Sequence, residues 1–376
     1  MINIINKEDC CGCTACASVC PSNAITMIPD SLGFKYPIVD KDICINCGLC
    51  NKICDFNKSE KLLSINPVEI KAFGGRHRDI KELESSQSGA AFIALAEAFI
   101  KNYKGIVYGV KLGEDFVVRH SCATKRSEID SFKGSKYVQS ELDGIFCLIK
   151  KDLLRGHNVL FVGTPCQVAG LKNFLPKRLH NLIFFVDIIC HGVSGPKFFE
   201  DYLMWARNRY GYNFQKFNFR DKRYGWHSCN ETFYYDNKET CIVSEFKIYR
   251  ELYIRKSCYV CKYSTIDRVS DITIGDYWGL EEKTRQFADN KGCSLVLCNT
   301  LRGKTLFDLS EPYFDSFETK LEDCLQPNLK EPTPRQKLRD KFEYDYQRHG
   351  FNYITKKYGG ITYTYEIKRI IKRLFF

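Results

Sequence analysis

Residues 10–21 read CCGCTACASVCP and residues 44–54 read CINCGLCNKIC. Cys10, Cys13, Cys16 and Cys20 are spaced C-x2-C-x2-C-x3-C with Pro21 directly after, and Cys44, Cys47, Cys50 and Cys54 repeat the same intervals. A pair of four-iron cubes takes its thiolates from such runs in a three-plus-one manner. Three cysteines of a tight loop converge on one cube, and the fourth reaches across to its neighbour. The spacing assigns Cys10, Cys13, Cys16 and Cys54 to a first [4Fe–4S] cluster, and Cys44, Cys47, Cys50 and Cys20 to a second. Gly12 and Gly48 let each loop turn tightly, and Pro21 turns the chain away after the longer step. Zinc takes four thiolates from two C-x2-C pairs, and two adjacent three-plus-one runs do not have that form. The C-x3-C-x2-C run of the radical enzymes that cleave S-adenosylmethionine is also missing, because Asn23 and Asn57 stand where its last cysteine belongs. Cys11 lies outside the register and reads as a partly buried spare thiol.

The first 57 residues therefore read as a bacterial-type ferredoxin module, sheathed by short strands around Ala24–Met27 and Gly33–Pro37. The whole chain has 376 residues, which leaves room for a large second body. Its 44% hydrophobic and 27% charged residues are ordinary for a soluble globular protein. No apolar run approaches the roughly 18 residues that span a bilayer. The start, MINIINKEDC, lacks the apolar core of a signal peptide. Twenty cysteines in such a chain point to metal ligation in a reducing cytoplasm rather than to disulfides. The net charge of +11 is uneven: Lys330–Phe376 carries 12 Lys and Arg against 5 Asp and Glu, leaving only +4 for the rest. The excess lies in one tail, so it does not argue for nucleic-acid binding.

Beyond a polar linker at Asn57–Pro67, strand-like and helix-like runs alternate. Ile70–Gly74 reads as a strand, and the serines of Ser85-Ser86-Gln87-Ser88-Gly89 read as caps of an apolar helix over Ala90–Ile100. Helix amides there suit an anion. Strands follow at Gly105–Val110 and Phe116–His120, then a loop with Gly134-Ser135-Lys136-Tyr137. Asn158–Val162 and Leu182–Ile189 read as buried strands, each followed by a loop and a helix, which argues for parallel strands with crossover helices. Those loops hold Gly163-Thr164-Pro165-Cys166-Gln167 and Cys190-His191-Gly192. Both would lie at the carboxyl ends of strands, where open α/β sheets bind ligands. Phe217–Arg220, Gly225–His227, Thr232–Tyr235 and Ser270–Gly279 continue in strand-like texture. Near the end, Ile367, Ile370, Ile371 and Leu374 share one helical face. That face reads either as docked on the body or as a peripheral contact with an anionic membrane.

The doubled cluster motif, Gly134-Ser135-Lys136-Tyr137, Gly163-Thr164-Pro165-Cys166-Gln167, Cys190-His191-Gly192, Cys258-x2-Cys261 and Gly275-Asp276-Tyr277-Trp278-Gly279 occur in this order. In that company the chain resembles the coenzyme F-420 hydrogenase/dehydrogenase beta-subunit family, from residue 1 to about 300. The resemblance implies an iron–sulfur flavoprotein that binds FAD and passes electrons between clusters and an organic carrier or substrate. Bacterial relatives in that family also occur among polysaccharide-biosynthesis genes. The chain has no GxGxxG fingerprint. FAD is instead expected against Ser88, Gly89, Gly134, Ser135, Lys136, Tyr137, Gly163, Thr164 and Gln167. A third [4Fe–4S] cluster is expected on Cys166, Cys190, Cys258 and Cys261, with Cys293 as the nearest substitute ligand. Cys122, Cys147, Cys229, Cys241, Cys298 and Cys324 read as structural. His191 is the expected proton donor, since an unperturbed imidazole titrates near neutrality, and His227 is a weaker candidate.

The expected architecture is an α+β ferredoxin-like bis-cluster module over 1–57, then a larger α/β domain with a mixed, partly parallel sheet over 66–330, and a basic, partly helical tail over 331–376. The expected partners are ferredoxin or another electron-transfer protein and a small organic acceptor. The alternative is a non-catalytic electron-transfer subunit of a larger complex.

Overall fold

The computed structural model describes residues 1–57, 70–235, 241–248, 250–283 and 285–361, with Thr364 and Ile367. The linker beyond Asn57 lies outside the described residues, and so does the C-terminal amphipathic face apart from Ile367.

In the module, strands Ile25–Pro29 and Lys35–Val39 pair antiparallel, with Ile25 opposite Val39. Two one-turn helices, Ala15–Val19 and Leu49–Ile53, follow the two cysteine loops. The loops share one backbone path. The residue before Cys13 or Cys47 is left-handed (Gly12 at φ 71, Asn46 at φ 53), and so is the residue after it (Thr14 at φ 64, Gly48 at φ 74). A glycine takes each of those turns once, and the repeat tolerates Asn or Thr at the matching position.

The body is built on an eight-stranded sheet in the spatial order Phe314–Thr319, Lys71–His77, Ser294–Cys298, Ile272–Asp276, Ile183–Ile188, Val159–Gly163, Ile106–Leu112, Val118–Ala123. The four strands from Ile272–Asp276 to Ile106–Leu112 run parallel, and the remaining pairings are antiparallel. Val159–Gly163 is buried along its whole length, as befits a parallel strand covered on both faces. Helices Ala91–Tyr103 and Pro165–Phe174 lie against the sheet. A smaller antiparallel sheet of Phe214–Asn218, Thr232–Tyr235 and Cys241–Val243 stands beside it.

Several local expectations change. The helix after Ser85–Gly89 has no serine cap: it is entered through Ala90 at φ 63, and Ser88 Oγ donates instead to the carbonyls of Cys293 at 2.8 Å and Gly275 at 3.2 Å. Ser294 Oγ accepts from the Gly89 amide at 2.9 Å, so a strand residue takes the capping role. Gly225–His227 is a turn, while Ser294–Cys298 and Phe314–Thr319 supply sheet strands that the sequence reading did not single out.

The largest core is aromatic and joins regions far apart in sequence. Phe198 and Tyr202 of helix Pro196–Tyr210 pack with Phe342, Tyr346 and Phe351 of helix Arg339–Lys357. Leu32, Phe34 and Tyr36 of the module enter the same core. Each buried ring contributes about 2 kcal/mol. The Leu32 carbonyl accepts from the amides of Lys197 at 3.1 Å and Phe198 at 3.3 Å, so the module hairpin caps a body helix. Gly33, at φ +89, sits so close that a Cβ would stand 2.4 Å from the Lys197 nitrogen.

Candidate redox site

The crossed assignment of the module cysteines has a geometric counterpart. Cys20 lines one small cavity of about 20 Å³ together with Cys44, Cys47 and Cys50. Cys16 is pushed up to about 12, by burial first and then by the charges of Cys10 and Cys54. Each run thus sends its last thiol to the other run's loop. Among the described residues, no three His, Cys, Asp or Glu side chains close on a single ion. A cube offers each thiolate its own iron, so its ligands need not meet at one point. Backbone amides already point at these sulfurs, from Ile2 to Cys50 Sγ at 3.1 Å and from Ala24 to Cys20 Sγ at 3.3 Å.

The second feature is a cavity of about 600 Å³ in the body, within the size range of small-molecule and cofactor sites. It opens at the carboxyl ends of three adjacent parallel strands. Val159–Gly163 leads into Thr164 and Cys166, Ile183–Ile188 into Cys190 and His191, and Ile272–Asp276 into Trp278. This is where an open α/β sheet leaves strand-end loops free to hold a ligand.

The structure brings Cys166, Cys190, Cys258 and Cys261 together on this wall. Cys258 is raised well above the usual thiol range by burial and by the charges of Cys190, Cys261 and Cys166. Burial and the charge of Cys166 push Cys190 up to about 12, and burial and the same charge raise Cys261. Four half-buried thiols that resist ionising next to one another form a donor set that cationic iron relieves, since a bound metal deprotonates its thiol ligands. The quartet fits a cluster. Cys293 is buried elsewhere, under Ser88, and does not line the cavity.

Cys11 stands between the two regions. Its thiol is hydrogen-bonded with Cys13 of the module and Cys166 of the body; the Cys13 bond and burial raise it well above the usual range, against the Cys166 bond. The sequence placed it as a spare thiol; the fold places it on the seam.

Most residues expected to hold the flavin line the cavity: Ser88, Gly134, Ser135, Lys136, Tyr137, Gly163, Thr164 and Gln167. Gly89 does not. It packs against the sheet, where a Cβ would meet the Gly75 carbonyl at 2.2 Å. Gln167 Oε1 accepts from the Thr164 amide at 3.0 Å and Gln167 Nε2 donates to Ser140 Oγ at 2.9 Å, so this side chain shapes the loop. Lys136 Nζ donates to the carbonyls of Phe132 and Lys133, both at 2.8 Å, and burial pushes it down to about 7. Ser86 Oγ and Gln87 Oε1, also on the wall, are buried without a hydrogen-bond partner among the described residues. Such open polar atoms suit a polar ligand that donates a hydrogen bond to Gln87 Oε1.

His191 lines the cavity and is lowered from its usual range by burial, which leaves it neutral at pH 7. His227 lies outside the cavity, in an exposed pair with Glu281 at 2.7 Å. Of the cysteines read as structural, Cys298 and Cys324 are buried, but Cys122, Cys147 and Cys229 are exposed, so packing does not explain them.

Two wall residues, Arg220 and Arg255, were not singled out as site residues in the sequence. Arg220 Nη1 donates to Asp276 Oδ2 at 2.6 Å, and Trp226 Nε1 donates to Asp276 Oδ1 at 2.6 Å, fixing the strand-end carboxylate. Arg255 is fully buried between the module and the quartet.

Residues 156–314 match the family described as the C terminus of the coenzyme F420 hydrogenase/dehydrogenase beta subunit. Residues 9–58 match the 4Fe-4S dicluster domain. No curated protein matches the chain. Among solved structures, a chain of the F420-reducing [NiFe] hydrogenase complex from Methanosarcina barkeri is similar at 17% identity and a TM-score of 0.46, over 65% of this chain and 81% of that one. The doubled cysteine run lies inside one family match and the cavity's cysteine quartet inside the other, so the chain is an iron–sulfur electron-transfer protein related to the coenzyme F420 hydrogenase/dehydrogenase beta subunit.

Proposed function

We propose that the chain is an iron–sulfur flavoprotein oxidoreductase that takes single electrons from ferredoxin or a similar protein and delivers pairs to a small organic acceptor. In this reading the eight module cysteines hold two [4Fe–4S] clusters, and Cys166, Cys190, Cys258 and Cys261 hold a third. Gly134–Tyr137 and Gly163–Gln167 hold FAD, which when bound supplies the conversion between one-electron and two-electron chemistry. The observation that carries the reading is that the cysteine quartet and these loops line one cavity, with Cys11 tying its wall to the module.

The chain's residues then have distinct tasks. The helix Pro165–Phe174 and the loop after Ile183–Ile188 fix Cys166 and Cys190, while Asp276 accepts from Arg220 on the cavity wall and from Trp226. Lys136, titrating at about 7, is better matched than His191 to supply a proton at neutral pH.

Anaerobic purification with iron, acid-labile sulfide and released flavin measured per chain tests the proposal. About twelve irons and one FAD support it. About eight irons and no flavin after reconstitution refute it, and favour a non-catalytic electron-transfer subunit.

A further inference from the structure

Arg255 is among the largest side chains buried in the protein, at 1% exposure. Its guanidinium spends its donors on one small region of the module: Nε to the Cys10 carbonyl at 2.8 Å, Nη2 to the Lys35 carbonyl at 3.0 Å and Nη2 to Cys10 Sγ at 3.6 Å. Gln139 Oε1 accepts from Nη1 at 2.9 Å, and the Tyr36 ring lies under the guanidinium at 4.3 Å. No carboxylate pairs with Arg255 among the described residues, so this buried cation faces sulfur and carbonyl oxygen instead. Its own carbonyl accepts from the Cys258 amide at 2.9 Å, which ties it to the quartet as well.

We infer that Arg255 sets the reduction potential of the first module cluster through Cys10. Reduction adds one electron from the donor protein to the cube and makes the thiolate-bound group one unit more negative. Hydrogen bonds to the ligand sulfurs and nearby charge are among the levers that set cluster potentials. A buried guanidinium donating to a ligand sulfur stabilises the reduced form over the oxidised one, and burial limits solvent screening of that charge. The sulfurs of Cys20 and Cys50, assigned to the second cluster, have only neutral partners among the described residues: backbone amides, and the Ser22 hydroxyl at 3.7 Å from Cys20 Sγ. Arg255 therefore acts on one cluster and not its twin. It is a positioning residue, and the inference needs the module's clusters but not the flavin.

The test is an EPR-monitored redox titration of the anaerobic full-length holoprotein, with iron and sulfide measured alongside. In R255Q one module midpoint falls by at least a tenfold change in the reduction equilibrium, which is 59 mV for one electron, while the other moves less. R255K, which keeps the charge but loses the fork, restores part of the shift. Q139A, which leaves the guanidinium in place but removes the Nη1 partner, is the second reading if R255Q fails to assemble. It is expected to alter the same midpoint by a smaller amount. The inference is overturned if R255Q carries full iron and moves neither midpoint, or moves both equally. It is also overturned if R255Q does not assemble and neither R255K nor Q139A shifts one midpoint selectively.

Discussion

Replacing Arg268 with methionine puts the physical account of the cavity wall to its hardest test. Asp187, near the end of strand Ile183–Ile188, is completely buried, and Arg268 Nη2 stands 2.9 Å from its Oδ1. Neither carboxylate oxygen has a donor in hydrogen-bond geometry among the described residues, so the guanidinium is the charge that compensates it. Arg268 also donates to the carbonyls of Tyr263 at 2.8 Å and Ile188 at 3.1 Å, clamping the segment that carries Cys258 and Cys261 onto the strand that leads to Cys190. Removing one partner of a buried pair costs about 3–5 kcal/mol, because the other charge is left stranded. At roughly 1.3 °C per kcal/mol for a chain of this size, R268M should melt about 4–6 °C lower. Anaerobic thermal unfolding followed by circular dichroism measures this. D187N/R268M, which removes both charges, should recover at least about 1 kcal/mol relative to the sum of the single variants. If R268M melts within about 1 °C of the parent, or the two substitutions simply add, the ion pair is not holding this wall.

Three further outcomes follow from the same geometry. His120 stacks on Phe161 at 5.2 Å and is held down to about 4 by burial, so the folded chain keeps it neutral while an unfolded imidazole titrates near 6.5. Between those values the unfolded state binds the extra proton and stability falls as pH falls. The parent should therefore lose about 2 kcal/mol more than H120N between pH 7 and pH 5 in denaturant titrations. Gly33→Ala forces a Cβ against the Lys197 amide and should cost about 2 kcal/mol or more, seen as faster hydrogen exchange at Lys197 and Phe198; unchanged protection would mean that the hairpin does not cap that helix. Under the proposed function, C258A should lower iron from about twelve to about eight per chain and leave the module's signals in place. An unchanged iron count would remove Cys258 from the ligand set.

Much of the fold was legible because its signals are local. The apolar runs at Val159–Gly163 and Ile183–Ile188 are strands buried on both faces, and their following Gly-Thr-Pro and Gly-Pro loops mark the crossovers. Ser294–Cys298 is as apolar and as buried, yet it joins the sheet antiparallel between its predecessor Ile272–Asp276 and the distant Lys71–His77, with no tight turn to announce either pairing. The serines before Ala91–Tyr103 have the composition of a cap, but a strand hydroxyl, Ser294, reaches the helix amides first. The module's eight cysteines and the Cys258–Cys261 pair were readable by spacing, whereas Cys166 and Cys190 rested on the resemblance; Cys166 and Cys190 meet because strand-end loops lie side by side. Arg255 was not readable, because its partners at Cys10, Lys35 and Gln139 are more than a hundred residues away.

The hairpin that caps helix Pro196–Tyr210, the shared aromatic core and the Arg255 fork together make the module a built-in part rather than a tethered visitor. Any internal transfer from it is then a first-order hop at a separation frozen by packing, with no encounter complex to form and dissolve. Solvent viscosity and salt should act only on the meeting with an outside partner. The cluster assigned to the loop that carries exposed Cys47, Ile45 and Leu49 is the natural place for that meeting.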